Sequence, residues 1–95
     1  MVMCEFNSLD DWALVNQQLR GQIRPLYNQQ HRRQLFKMHD NLYHSVTELS
    51  RCEVDYRRTH NSTQYLEQLA KCRQQLLELQ QWLMFATLLD TKSEE

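Results

Sequence analysis

Turn-forming residues are nearly absent from this chain, which has one glycine, Gly21, and one proline, Pro25, in 95 residues. Tight hairpins between β-strands usually need glycine or asparagine-glycine pairs at their turns, so a sheet built from such hairpins is excluded. Leucine, glutamine, glutamate and arginine are abundant instead, and all four favour helices. The sequence therefore predicts an all-α protein.

Long hydrophobic runs and an excess of one charge are also missing. A membrane span needs about 18 uninterrupted apolar residues, and no stretch of this chain comes near that length. The first residues lack the basic and apolar parts of a signal peptide. Eleven Lys and Arg against twelve Asp and Glu leave a formal net charge of −1. This balance argues against attraction to nucleic acid or to an acidic membrane by the field of the whole molecule.

The chain has three cysteines, at positions 4, 52 and 72, which is a small and uneven number. An odd count fits a reducing compartment better than a disulfide framework. We therefore expect a cytoplasmic or nuclear protein, with mitochondria as the alternative.

The short helix at the N-terminus is predicted over residues 9–21. Ser8-Leu9-Asp10-Asp11 has the form of a capping box, and residues 1–8 are expected to form a tail before it. Gly21 is expected to end this helix as a C-terminal cap. Pro25 is expected to lie in the first turn of a second helix.

Two long helices are predicted next, over residues 25–59 and 63–89, so that residues 9–90 form one helical domain before an acidic tail at 91–95. Their apolar residues recur every three or four positions, as in a coiled coil. The resulting hairpin seam consists of Leu35, Met38, Leu42, Val46, Leu49, Cys52 and Tyr56 on the first long helix and Leu69, Cys72, Leu76, Leu79, Leu83 and Ala86 on the second.

The segment between these helices contains Asn61-Ser62-Thr63, which is also an acceptor pattern for N-linked glycans. Asn, Ser and Thr are favoured in turns and at helix N-caps, and the expected reducing compartment has no glycosylation machinery. We interpret these residues as a helix-helix turn, which predicts a long antiparallel hairpin.

Paired seam residues of this hairpin are expected to have numbers that sum to about 124, which places Cys52 opposite Cys72. A coiled-coil period matches itself at several registers, so this pairing is one of several that fit. We interpret both cysteines as buried thiols. A disulfide across the hairpin is the alternative.

A second apolar set lies at the end of the hairpin away from its turn. The N-terminal helix is expected to fold back on that end and to cover this set, which gives a three-helix bundle with a projecting two-helix arm. Its members are Phe36, Tyr43, Leu77, Phe85 and Leu88.

Metal, cofactor and catalytic sites are not predicted. His39 and His44 are five residues apart, whereas two ligands on one helix need a spacing of three or four, and no phosphate loop or nucleophile motif occurs. A basic cluster could bind nucleic acid or lipid, but we interpret it as a solvated face. Its members are Arg20, Arg24, Arg32 and Arg33.

Large apolar residues off the seam indicate an interface with other helical proteins, since aromatic anchors often carry association energy. The predicted interface residues are Trp12, Val54, Tyr65, Leu66, Trp82 and Met84. We therefore expect a non-catalytic subunit or adaptor of a coiled-coil assembly, of the tethering, cytoskeletal or kinetochore type, which acts as a hetero-oligomer or homodimer. A small assembly factor or chaperone-like helper is the alternative, and a nucleic-acid-binding protein is the third hypothesis.

Overall fold

The first helix begins at the predicted capping box. The structure, a computed structural model, describes residues 6–93, with side chains described for residues 6–90. A 3-10 turn, Leu9–Asp11, leads directly into α1, Trp12–Ile23. The Asp11 carboxylate accepts hydrogen bonds from the backbone N–H groups of Asn7, at 2.8 Å, and Ser8, at 3.2 Å. This satisfies N–H groups that precede the helix, as a capping box should.

The junction between α1 and α2 differs from the prediction. Gly21 lies inside α1 with no positive φ, because the helix continues for two more residues to the fully buried Ile23. The burial of Ile23 outweighs the preference of glycine for a helix end, which is worth only about 1 kcal/mol. α2, Gln29–Thr59, begins four residues later than Pro25, after the N-cap Asn28.

Asn28 fixes this later start because its side-chain oxygen accepts from the backbone N–H groups of Gln30, at 2.9 Å, and His31, at 3.1 Å. The Asp90 carboxylate approaches the same end of α2 and accepts from the backbone N–H groups of Tyr27, at 2.5 Å, and Asn28, at 3.4 Å. The beginning of α2 is thereby tied to the end of the third helix.

The predicted turn at residues 60–62 is confirmed. His60 ends α2 in the left-handed conformation, with φ 60° and ψ 17°. The Asn61 side-chain oxygen then accepts from the backbone N–H of Thr63 at 3.1 Å, and the Ser62 carbonyl accepts from the N–H of Leu66 at 2.9 Å. These bonds start α3, Thr63–Ser93.

α2 and α3 pack along each other as the predicted antiparallel hairpin, in an elongated molecule of 56 × 21 × 17 Å. The short α1 packs chiefly on α2. All three helices contribute to one buried core, which consists of Phe6, Val15, Leu19, Ile23, Leu26, Leu35, Leu42, Val46, Leu49, Cys72, Leu76, Leu79, Leu83 and Ala86.

Most seam residues lie where the periodicity predicts. Nine of the thirteen are in the buried core, and Met38 and Leu69 are partly buried against it. Cys52 is only partly buried, and Tyr56 is exposed. Phe6, which was expected to lie in a tail, belongs to the core and contacts the edge of the Trp12 ring.

Residues of α3 lie opposite residues nearer the start of α2 than the predicted register places them. Gln68 donates from its side-chain amide to the backbone carbonyl of Ser45 at 2.9 Å, and Asp90 contacts Tyr27. The numbers of these two pairs sum to 113 and 117, against the expected 124. The sums lie 11 and 7 below 124, which displaces α3 by roughly 10–16 Å, or about one heptad or somewhat more, because a helix rises about 1.5 Å per residue.

The displaced register separates residues that the predicted register paired. With pair sums near 117, the buried Cys72 lies level with Val46 rather than with Cys52. Cys52 instead shares a surface groove with Gln64 and Gln68. Tyr56 is exposed near the turn, where its ring still meets Tyr65 of α3.

Candidate functional site

α3 carries a second apolar face on the side opposite its contact with α2. This outer face consists of Ala70, Gln74, Leu77, Gln81, Met84 and Leu88, which are spaced alternately by four and three residues and are all exposed. Leu77, Met84 and Leu88 have 40%, 47% and 58% of their surface accessible. Such spacing places the six side chains on one stripe of the helix.

The structure corrects the expectation that α1 covers this region. α1 packs chiefly on α2, where Phe36 is partly buried and Tyr43 contacts Trp12 with ring centroids 6.4 Å apart. Leu77 and Leu88 therefore lack cover from α1, and so does Phe85. A repeat of seven residues from Ala70 through Leu77 to Met84 is the sequence signal that could have identified the outer face as a second seam.

Two aromatic rings border the outer face. Trp82 and Phe85 meet edge to face, with ring centroids 6.0 Å apart and planes at 88°. Together with Glu78 and Gln81 they line a shallow groove of about 350 Å³. Both rings are exposed. The predicted interface residues Trp82 and Met84 are thus both on accessible surface, but their spacing of two places them on different sides of α3.

Trp12, a predicted interface residue, packs against other aromatic rings of the same chain. Its ring packs against Phe6 at 6.3 Å, stacks on His39 at 6.1 Å and contacts Tyr43 at 6.4 Å, measured between ring centroids. It thus holds α1 on α2. Its contribution to an interface with another chain stays a prediction.

The other predicted interface residues lie near the turn of the hairpin. Val54 and Leu66 are exposed, while Tyr65 is partly buried and stacks on Tyr56 with ring centroids 5.8 Å apart. Burial raises the pKa of the Tyr65 hydroxyl, and Glu53, Asp10 and Tyr56 add to the increase. These residues form a small apolar patch separate from the outer face.

Cys52 and Cys72 are both free thiols, and Cys4 lies outside the described residues. Burial raises the pKa of the Cys72 thiol to about 11, an increase that Lys71 opposes and Cys52 supports. The pKa of Cys52 is also raised, first by burial and then by nearby carboxylates such as Glu48. Neutral thiols of this kind behave as small apolar side chains.

The histidines are separated from one another in the fold. His39 is partly buried with its Nε2 atom 2.6 Å from the side-chain oxygen of Asn16, so this nitrogen donates the hydrogen bond. Burial lowers the pKa of His39, Arg20 lowers it further, and Asp40 raises it. Within residues 6–93, no group of three or more His, Cys, Asp or Glu residues is placed to hold a metal ion.

The predicted basic cluster is divided between different roles. Arg32 donates from Nη1 to the backbone carbonyl of Leu26 at 2.8 Å, which helps to hold the α1–α2 junction. Arg20 and Arg24 line a surface groove along α1 with Gly21, while Arg33 is exposed on α2. At least Arg32 is therefore engaged in holding the fold.

Comparisons with known proteins give no match, whether with protein-family models, with curated proteins or with solved structures. In the part of the chain that the structure describes, none of the helices combines the length and the apolar character needed to cross a membrane.

Proposed function

We propose that this protein is a non-catalytic interaction protein, a subunit or adaptor that packs the outer face of α3 against helices of other protein chains. The observation that carries the proposal is the exposure of Leu77, Met84 and Leu88 along one stripe of a long helix. Apolar stripes of this kind are recognised by neighbouring helices or by apolar grooves, and burying them is favourable by roughly 25 cal/mol for each Å² removed from water.

Charge distribution supports a protein partner over a nucleic acid. Arg51 pairs with Glu48 at 3.2 Å, and Arg57 pairs with Glu53 at 2.8 Å, both within α2. Arg32 is directed at the backbone of its own chain. These three basic groups thus have partners in the same molecule, whereas nucleic-acid binding needs several basic groups free on one surface.

The proposed setting is a multi-chain coiled-coil assembly in a reducing compartment, the cytoplasm or the nucleus. Long paired helices suit tethering, cytoskeletal or kinetochore assemblies because they extend a contact surface over tens of ångströms. The buried Cys72 thiol and the odd number of cysteines support the reducing compartment. A Cys52–Cys72 disulfide in protein isolated from its own cells would favour the assembly-factor alternative.

The test is isolation of the tagged protein from its own cells, with the stoichiometry of retained chains measured by mass spectrometry. The variant Leu77→Ser/Met84→Ser/Leu88→Ser removes the apolar groups of the outer face without touching the core. The matched control, Leu14→Ser/Tyr27→Ser, removes exposed apolar groups from α1 and from the segment before α2. Circular dichroism should show unchanged helicity in both variants.

We expect wild-type protein and the control to retain the same helical partners near equal stoichiometry, and the outer-face variant to lose them. If the outer-face variant keeps every stoichiometric partner, the proposed function of this surface is wrong. Loss of partners in the control alone would move the interface to α1 or to the segment before α2.

A further inference from the structure

We infer that the outer face of α3 binds the same face of a second copy of this chain, with the two α3 helices parallel and in register. This inference rests on the proposed function, because it names the partner that the surface takes. It is carried by the order of apolar, polar and charged side chains along α3 in the folded hairpin.

The position of the outer face permits such a contact. The buried α3 residues that face α2, such as Leu76, Leu79 and Leu83, lie on the other side of the helix from Leu77, Met84 and Leu88. A second α3 could therefore approach without displacing α2 or α1. The result would be a row of four long helices, with the two α3 helices at its centre.

In a parallel, in-register dimer, each residue of the outer face lies opposite the same residue of the second copy. This arrangement places Leu77, Met84 and Leu88 each against the same residue of the second copy, so the apolar groups meet one another. Gln74 and Gln81 then face their own counterparts, where the amide groups can hydrogen-bond across the interface. Polar layers of this kind weaken a coiled coil but fix its alignment.

The flanking charges complement each other in the same arrangement. Arg73 and Glu78 lie on opposite sides of the outer face and are five residues apart, the spacing at which a side chain of one parallel helix meets its neighbour on the other. Glu78 already leans along this face, because its carboxylate accepts from the Gln74 amide at 3.1 Å. Two-fold symmetry would form two Arg73–Glu78 pairs, one on each side.

Antiparallel arrangements satisfy the pattern less well. If Leu77 faces Leu88 of the second copy, Glu78 lies beside Phe85 and the charges find no partners. If Leu77 faces Gln81, the two Glu78 carboxylates come together, and like charges in contact oppose association. Of these three alignments, the parallel one pairs both the apolar residues and the charges of Arg73 and Glu78.

The interface is small, with three apolar layers, so we expect dissociation constants on the order of micromolar or weaker. Sedimentation equilibrium of the full chain from about 1 µM to about 1 mM covers this range. Arg73→Glu and Glu78→Arg should each weaken self-association about tenfold, since each turns two attractive pairs into repulsive ones. The double variant Arg73→Glu/Glu78→Arg should restore it, while the control Lys37→Glu, on α2, should have no effect.

Disulfide trapping tests the orientation. In a Cys4→Ser/Cys52→Ser background, the variant Ala70→Cys should link to its own counterpart under mild oxidation, because the two copies of this exposed position meet only in the parallel dimer. Antiparallel pairing with any overlap of the apolar residues separates these two positions by about ten residues or more, roughly 15 Å. A Lys37→Cys variant in the same background controls for random collisions.

A dimer that is weakened by each single charge reversal, rescued by the double variant and linked through Ala70→Cys supports the inference. A dimer without the Ala70→Cys link overturns the parallel arrangement. A monomer at about 1 mM overturns self-association altogether. In that case, stoichiometric partners lost from the Leu77→Ser/Met84→Ser/Leu88→Ser variant would still uphold the proposed function, with a different chain on the same face.

Discussion

Gln68 and Ser45 are joined across the hairpin, where the side-chain amide of Gln68 donates to the backbone carbonyl of Ser45 at 2.9 Å. Ser45 is buried, so this bond gives the amide of the partly buried Gln68 side chain a partner where water has little access. It also fixes the register of the hairpin. In that register Cys72 lies level with Val46, and Cys52 lies nearer the turn.

The two thiols should therefore differ strongly in reactivity. Cys72 is fully buried with a pKa of about 11, so at pH 8 only about 0.1% of it is thiolate. Cys52 is partly exposed, although burial and nearby carboxylates raise its pKa as well. Brief alkylation with iodoacetamide, read by peptide mass spectrometry, should label Cys52 at least about tenfold faster, and both rates should rise with pH.

Alkylation in concentrated urea is the control, since unfolding should make the two rates similar. Equal labelling in the folded protein would show that Cys72 is not buried. Rapid formation of a Cys52–Cys72 disulfide under mild oxidation would instead favour the register with pair sums near 124.

Periodicity predicts which residues of a helix are buried, but it does not determine which residue of the partner helix lies opposite each of them. The seam from Leu35 to Leu49 was predictable because each position depends only on its own helix. Displacing α3 by one heptad buries nearly the same residues, so the register could not be read from spacing. It depends on contacts between distant residues, such as Gln68 with Ser45 and Asp90 with Tyr27.

The outer face was missed for a related reason. Leu77 and Leu88 are apolar and periodic, and nothing in their spacing says whether α1 covers them or leaves them exposed. The answer depends on Trp12, whose ring binds α1 to His39 and Tyr43 on α2. Likewise, Gly21 has the local properties of a helix end, but the burial of Ile23 extends the helix beyond it.

Leu49→Ala should destabilise the fold far more than Leu14→Ala. The Leu49 side chain is fully buried, so its truncation leaves a cavity and is expected to lower the free energy of unfolding by about 2–5 kcal/mol. That is a large part of a total on the order of 5 kcal/mol for a domain of this size. Leu14 is exposed, and its truncation should change stability by about 0.5 kcal/mol or less.

Urea denaturation followed by circular dichroism at a few micromolar protein measures both effects while limiting self-association. A Leu49→Ala variant as stable as Leu14→Ala would contradict the packing of the hairpin core. The slope of the free energy of unfolding against urea concentration should be the same in both variants if each folds to the same structure.

His39 should make the fold less stable in mild acid. Its pKa is lowered in the folded protein by burial and by Arg20, with Asp40 opposing, from an unfolded value near 6.5. The unfolded chain therefore binds the proton more tightly, so the stabilising increment is fully present above about pH 6.5 and is lost as the pH falls toward and through the folded-state pKa. Protonation also adds charge beside Arg20.

His39→Gln should flatten this dependence, because glutamine can still donate to Asn16 but does not titrate. The control is His44→Gln, since His44 is exposed and lies beside Asp40 at 3.5 Å. Thermal unfolding of the three proteins is measured from pH 5 to 7.5. All three contain the same carboxylates, so a difference between their pH dependences comes from the substituted histidine. If wild type and His39→Gln lose stability in parallel below pH 6.5, His39 is not the group responsible.

His60→Gly should stabilise the hairpin. His60 has φ 60°, a left-handed conformation that costs a residue with a Cβ roughly 1–2 kcal/mol but is open to glycine. Its backbone N–H, which donates to the Tyr56 carbonyl at 2.8 Å, is unaffected by the change. Part of the gain is offset by the greater freedom of glycine in the unfolded chain, so we expect the free energy of unfolding to rise by about 1 kcal/mol.

Arg58→Gly is the matched control, because position 58 lies inside α2 in a right-handed helical turn. There glycine should lower the free energy of unfolding by about 1 kcal/mol. Urea denaturation of the two variants should thus move the midpoint in opposite directions. A loss of stability in both would mean that position 60 does not hold the left-handed conformation in solution, and that α2 continues into the turn instead of ending at His60.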